Sequence, residues 1–146
     1  MWKLKPDERL ARWLAFRKKL DTVTFEHALD LVQDFWFDAP FTPYYLDPEK
    51  PETWPDPWTL ISENYYCDLA KALGIAYTIY LSKHKPELEI RVYYDAETKY
   101  AYNLVLIDKG KYVINLLDDE IVNINSLDKL TLKFKYSSKD LNLDSY

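Results

Sequence analysis

At 146 residues the chain suits one domain with a core large enough to need no covalent staple. Its one cysteine, Cys67, excludes an internal disulfide framework and a multi-cysteine zinc site, and its two glycines, Gly74 and Gly110, exclude a glycine-rich phosphate loop. A net charge of −5, from 19 basic and 24 acidic residues, argues against sequence-independent nucleic-acid binding, which draws on Lys and Arg neutralising phosphates.

Met1–Lys5 runs into Pro6-Asp7-Glu8 with no apolar stretch behind it, so no secretory leader is expected. No apolar run is long enough for a membrane helix, and a reducing cytoplasm is the expected compartment. Pro6, with Asp7 and Glu8 at the positive end, opens a first helix expected over about residues 6–20. Leu10, Trp13, Leu14 and Leu20 form its apolar stripe. Arg9, Arg12, Arg17, Lys18 and Lys19 are the only dense basic run and read as its solvated face. Thr24 caps a second helix over about 24–37, with Phe25, Leu29, Val32 and Trp36 on one face and Pro40 beyond its end.

Residues 40–57 hold six prolines and no periodic pattern, yet they carry Phe41, Tyr44, Tyr45, Leu46 and Trp54. The expectation is an ordered loop wrapped around the domain, with Tyr44, Tyr45 and Trp54 as a binding surface. Asp56-Pro57 starts a third helix, expected over 57–73 and ended by Gly74. From there the pattern reads as strands: Ile75–Ser82, Leu88–Tyr94, Tyr100–Ile107, Lys111–Leu117, Ile121–Ile124 and about Leu130–Tyr136. Asp108-Lys109-Gly110 makes a tight hairpin, and residues 137–146 read as a frayed polar tail. Helices followed by an antiparallel meander define an α+β class, with N-terminal helices packed on an antiparallel sheet.

A cysteine nucleophile needs a base within hydrogen-bond reach, and only His27 and His84 are on offer. Cys67 falls about ten residues into the expected third helix, where the free N–H groups that stabilise a thiolate at a helix start are gone. It therefore reads as a small core residue. His27 and His84 read as exposed, and no metal site or cofactor is expected. Asp118, Asp119 and Glu120 read as a charged turn at a strand end.

Two phrases carry a resemblance. Ala72-Leu73-Gly74-Ile75-Ala76-Tyr77 resembles the end of the nucleophile helix in transglutaminase-like domains of papain-like fold. Tyr100-Ala101-Tyr102-Asn103-Leu104-Val105, the Lys109-Gly110 turn and Tyr112–Asp118 resemble the hairpin that follows it. The resemblance implies a cysteine near Thr59, Leu60 and Ile61, with Leu60 the nearest match and Cys67 about two helical turns too late. It implies a histidine at Tyr100 or Tyr102 and leaves Asp118 as the counterpart of the orienting acid. On that alignment nucleophile and base are both missing. Tyr, Asn, Lys and Ile usage with few glycines also resembles small proteins of large tailed phages.

The expected function is accordingly a non-catalytic accessory protein, a degenerate member of that fold. It would bind a protein partner or itself through Tyr44, Tyr45, Trp54, Tyr100 and Tyr102, in the cytoplasm, the host cytoplasm or a virion. Two alternatives are a cysteine-dependent hydrolase or transferase using Cys67 close to His27 or His84, with Asp118 as a further candidate residue, and a nucleic-acid accessory protein using the basic first helix.

Overall fold

The computed structural model describes all 146 residues. Helix α1 spans Pro6–Leu20 and α2 spans Phe25–Phe37, with the Thr24 hydroxyl accepting from the His27 N–H at 3.3 Å. Asp56 caps α3 (Pro57–Glu63), its carboxylate accepting from the Thr59 N–H at 2.7 Å. This helix stops after two turns because Asn64 takes a left-handed conformation, φ 61°, which asparagine tolerates better than most residues. A second helix, α4 (Asp68–Tyr80), then begins, with Cys67 as the residue before its first turn and no side chain bonded to its free N–H groups.

The expected helix over 57–73 and strand over 75–82 are therefore corrected: the chain breaks at 64–67, and Ile75–Tyr80 is helical. Tyr, Thr and Ile in that segment mimic a strand by composition. Ten residues of α4 are buried, so the helix is apolar nearly all round and shows no amphipathic period. Gly74 does not end it. A Cβ there would lie 2.3 Å from a ring carbon of Trp36, so glycine is what lets the indole cross the helix.

Strands β1 (Leu88–Tyr94), β2 (Ala101–Ile107), β3 (Tyr112–Ile114) and β4 (Thr131–Tyr136) form one antiparallel sheet in the order β3-β2-β1-β4. Asp108, Lys109 and Gly110 all have positive φ and turn the β2–β3 hairpin. Residues 121–124, expected as a strand, contribute only one bridge, between Val122 and Val113. Leu88, Ile90, Val92, Val105, Ile107 and Ile114 face the main core, with α4 packed on β1 and β2, and α2 and α3 packed on α4. The other face holds a smaller cluster of Tyr93, Leu104, Leu106, Val113 and Leu127.

Residues 40–57 wrap this core as an extended strap. The Tyr136 phenol donates to the Pro48 carbonyl at 2.5 Å, Tyr77 to Pro55 at 2.7 Å, and the Trp54 indole to Asp47 at 2.8 Å. The C-terminal segment is not frayed: Leu141 and Leu143 are buried, and Tyr146 packs edge-on against Trp58 and Tyr77. No helix is long and apolar enough to cross a membrane.

Burial raises the phenols of Tyr66 and Tyr77 above the ordinary tyrosine range and pushes Tyr136 up to about 12. The folded state then holds these protons more tightly than the unfolded chain, whose tyrosines titrate near ~10. Their stabilisation is complete below about pH 10 and is lost as pH rises through the folded values. Unfolding midpoints in urea are expected to be flat through neutral pH and to fall above pH ~10. Tyrosinate absorbance should rise together with loss of tertiary signal. Full ionisation of all 13 tyrosines with the fold intact would contradict this.

Candidate functional site

The break at Asn64 puts Cys67 at the start of α4 instead of inside a helix. Cys67 has extended backbone, φ −70° and ψ 172°, and its carbonyl accepts the first helical bond, from Lys71 at 3.0 Å. The N–H groups of Asp68, Leu69 and Ala70 have no intramolecular acceptor, as the first turn of a helix leaves them. Tyr66, just before, is held by a parallel bridge to Phe41 of the strap and by the Thr42 N–H donating to its carbonyl at 3.0 Å.

Cys67 is 8% exposed, but it is not sealed in. It lines a cavity of about 500 Å³ between the strap and the sheet. Phe41, Pro43, Tyr44, Leu46 and Pro48 form the strap wall, Asp68 and Leu69 the helix end, and Val92, Ala101, Asn103, Lys133 and Phe134 the sheet side. A smaller cavity of about 170 Å³ adjoins it, sharing Asp68, Ala101 and Asn103 and adding Lys71, Tyr100, Tyr102, Asn115 and Asp118. Between them runs an amide network. Asn115, in left-handed conformation at φ 82°, donates its Nδ2 to the Asn103 carbonyl at 2.8 Å and its N–H to the Gln33 side chain at 3.0 Å.

The sequence-derived site residues do not form one constellation. His84 lies beyond the C-terminal end of α4, its ring against the Leu20 carbonyl at 2.9 Å and near Phe25. The length of the 13-residue helix, about 20 Å, separates it from Cys67. It is half-buried, not exposed as expected; His27 is exposed on α2. Neither imidazole serves Cys67. Asp118 is exposed at the rim of the smaller cavity. Tyr100 and Tyr102 pack on each other with ring centres 4.7 Å apart and planes tilted by 59°, and both line that same cavity. Burial, and next the charge of Asp68, raise the Tyr100 phenol. The β2 side chains that share a cavity with Cys67 are instead Ala101 and Asn103.

Of the strap aromatics, Tyr44 is 97% exposed at φ 56° on the cavity rim. Tyr45 donates to Glu63 and packs on Tyr65, and its phenol is raised by burial and by that carboxylate. Trp54 is turned inward against Tyr136 at 4.7 Å. No group of three or more His, Cys, Asp or Glu side chains is placed to hold a metal ion. Of the basic run on α1, Arg12, Lys18 and Lys19 are exposed as expected, but Arg9 and Arg17 are not free. Arg9 is buried with its guanidinium bonded to main-chain carbonyls, and Arg17 lies 4.3 Å over the Trp13 ring.

No protein-family model and no curated protein matches the chain. Among solved structures it is similar to LapG of Legionella pneumophila, with a TM-score of 0.69 at 13% identity over 91% of this chain and 75% of that one. The calcium-bound form of LapG gives 0.70 at 13% identity over 93% and 78%, and the EGTA-treated form 0.69 at 13% over 91% and 74%. At that identity the likeness defines the fold: an α+β, transglutaminase-like core with helices packed on an antiparallel sheet.

Several expectations fall here. The non-catalytic, pseudoenzyme reading rested on a missing nucleophile. The LapG-like fold and the cysteine found at the start of its central helix overturn it. The phage-protein and cytoplasmic expectations rested on residue usage and on a default compartment. They are overturned by likeness to a bacterial protein solved both calcium-bound and EGTA-treated.

The displacement of Cys67 was hidden by one short break. Asn64 followed by Tyr65 and Tyr66, and then Asp68 in a new first turn, were the available signals. Asn103 was missed because the resemblance favoured its tyrosine neighbours.

Proposed function

We propose that the protein is a cysteine-dependent acyl hydrolase or acyl transferase with Cys67 as nucleophile. The observation that carries this is the position of Cys67 at the start of α4, opening on the larger cavity. The start of a helix is the positive end of its dipole, and the unbonded N–H groups of the first turn are ready donors there.

The Cys67 thiol gives its proton to solvent, and Sγ attacks the substrate carbonyl carbon, forming an S–C bond and placing the carbonyl π pair on oxygen. Collapse of that intermediate breaks the bond to the leaving group, and water or an amine then takes the acyl group from sulfur. With no imidazole at Cys67, the leaving group takes its proton from solvent. That favours leaving groups stable as anions, such as the thiolate of a thioester or the alkoxide of an activated ester, over the amine of an ordinary amide. The apolar wall of Phe41, Pro43, Leu46 and Phe134 suits an acyl-bearing segment of a protein partner.

Incubation with an S-acyl thioester and with an activated ester, read by intact mass and peptide mapping, tests the assignment. One acyl adduct on Cys67 is expected, with turnover that Cys67→Ala abolishes. An unmodified Cys67, or equal turnover in Cys67→Ala, would overturn it.

A further inference from the structure

We propose that Asn103 is the oxyanion donor for acyl transfer at Cys67. This role rests on the assignment of Cys67 as nucleophile.

Alternation along β2 sends Val105 and Ile107 into the main core beneath α4, and Leu104 and Leu106 to the opposite face. Ala101 and Asn103 continue the α4-facing series toward the end of the sheet where Cys67 sits, and both line its cavity. Ala101 has no polar atom. The other polar side chains lining that cavity suit the task poorly. The Asp68 carboxylate would repel an oxyanion. Tyr44 is 97% exposed on the rim, and Lys133 is exposed on the edge strand β4.

Asn103 is half-buried, and its backbone is fixed from two sides. It stands opposite Val92 in the β1–β2 pairing, and its carbonyl accepts from Asn115 Nδ2 at 2.8 Å. Asn115 is in turn held by Gln33. The amides of Asn115 and Gln33 are thus both engaged, whereas the Asn103 side-chain amide bonds to no protein group. A neutral amide does not take up a proton near pH 7, so Asn103 is no substitute for a histidine base. What it offers is a donor on a rigid strand, in the cavity that the nucleophile lines, needing no reorganisation when charge develops on the carbonyl oxygen. Acyl transfer passes through such an oxyanion. Alkylation of the same sulfur by iodoacetamide does not: the S–C bond forms at a saturated carbon as iodide leaves.

The two reactions separate the role. Acetylation of Cys67 by p-nitrophenyl acetate is followed by the p-nitrophenolate burst and by intact mass, and alkylation by iodoacetamide is measured in parallel. In Asn103→Ala and in the near-isosteric, uncharged Asn103→Leu, acetylation is expected to slow by about 10²-fold, the usual loss of one oxyanion donor, with alkylation unchanged. Asn103→Leu, which keeps the side chain's size and removes only its donor, decides the matter should Asn103→Ala fail to fold. Unchanged acetylation in the variants overturns the role of Asn103 while leaving Cys67 as nucleophile. Equal slowing of both reactions reduces Asn103 to a packing residue and overturns it as well. A wild-type Cys67 that p-nitrophenyl acetate does not acetylate removes the nucleophile itself and the donor role with it.

Discussion

Thr78→Val is expected to destabilise the fold by about 2–6 kcal/mol, as two buried indole N–H groups lose their acceptor at once. The Thr78 hydroxyl accepts from Trp13 Nε1 at 3.0 Å and from Trp36 Nε1 at 2.9 Å, and it donates to the Gly74 carbonyl at 2.6 Å. One donor and two acceptors is all a hydroxyl has, and all three are used. Both tryptophans are 1% exposed, so water cannot replace the lost bonds. Each orphaned donor costs about 1–3 kcal/mol, far more than valine's added methyl contact returns. Thr78→Ser keeps the hydroxyl and should lose about 1 kcal/mol, near the transfer value of one buried methyl. Urea midpoints of the three proteins decide it. A valine variant as stable as serine would show that the indoles find other acceptors.

Arg9→Met is the second large effect, about 3–5 kcal/mol, as three main-chain carbonyls lose a donor at roughly 1–3 kcal/mol each, less where they are only partly buried. Arg9 is 5% exposed and forms no salt bridge. Its Nε donates to the Ile61 carbonyl at 2.8 Å, one terminal nitrogen to Ser62 at 2.7 Å, and the other to Leu4. Ile61 and Ser62 stand in the last turn of α3, where carbonyls lack helical partners and the dipole is negative. The guanidinium therefore terminates α3 and ties α1 and the N-terminal residues to it. Methionine fills similar volume but donates nothing, so three carbonyls lose their donor together. Arg9→Lys restores the charge but not the fork, and should recover only part of the loss. A midpoint shift for Arg9→Met no larger than that of a surface substitution, within about 0.5 kcal/mol, would contradict this role.

These two residues also show where the sequence was legible. Trp13, Leu29, Val32 and Trp36 were readable as core because their helices alternate apolar and polar faces, and the β1 and β2 hairpin was readable from period-2 alternation and its turn residues. α4 was not, because burial on every side erases its period and leaves composition, which for Ile75–Tyr80 favours a strand. Gly74 pointed the wrong way for a related reason. The indole it accommodates comes from Trp36, 38 positions earlier, and no local pattern encodes that. Arg9 read as solvated because charge in a first helix usually is, and two of its three carbonyl partners lie about fifty residues away. The site inherited the same error, since starting the helix at Asp68 instead of Pro57 decides whether Cys67 is core filler or a nucleophile.

The strap from Pro40 to Pro57 gives the cavity an unusual division of labour. Its prolines and its ties to Tyr136 and Tyr77 hold the wall in place before anything binds, so a ligand need not order it. The exposed Phe41, Pro43 and Tyr44 belong to no helix or strand, whereas Cys67 and Asn103 stand on the scaffold. Ligand preference and reactivity are thereby written on separate stretches of chain. Exchanging those three residues would retune what the protein accepts without touching the elements that fold it, the arrangement from which divergence of specificity proceeds most readily.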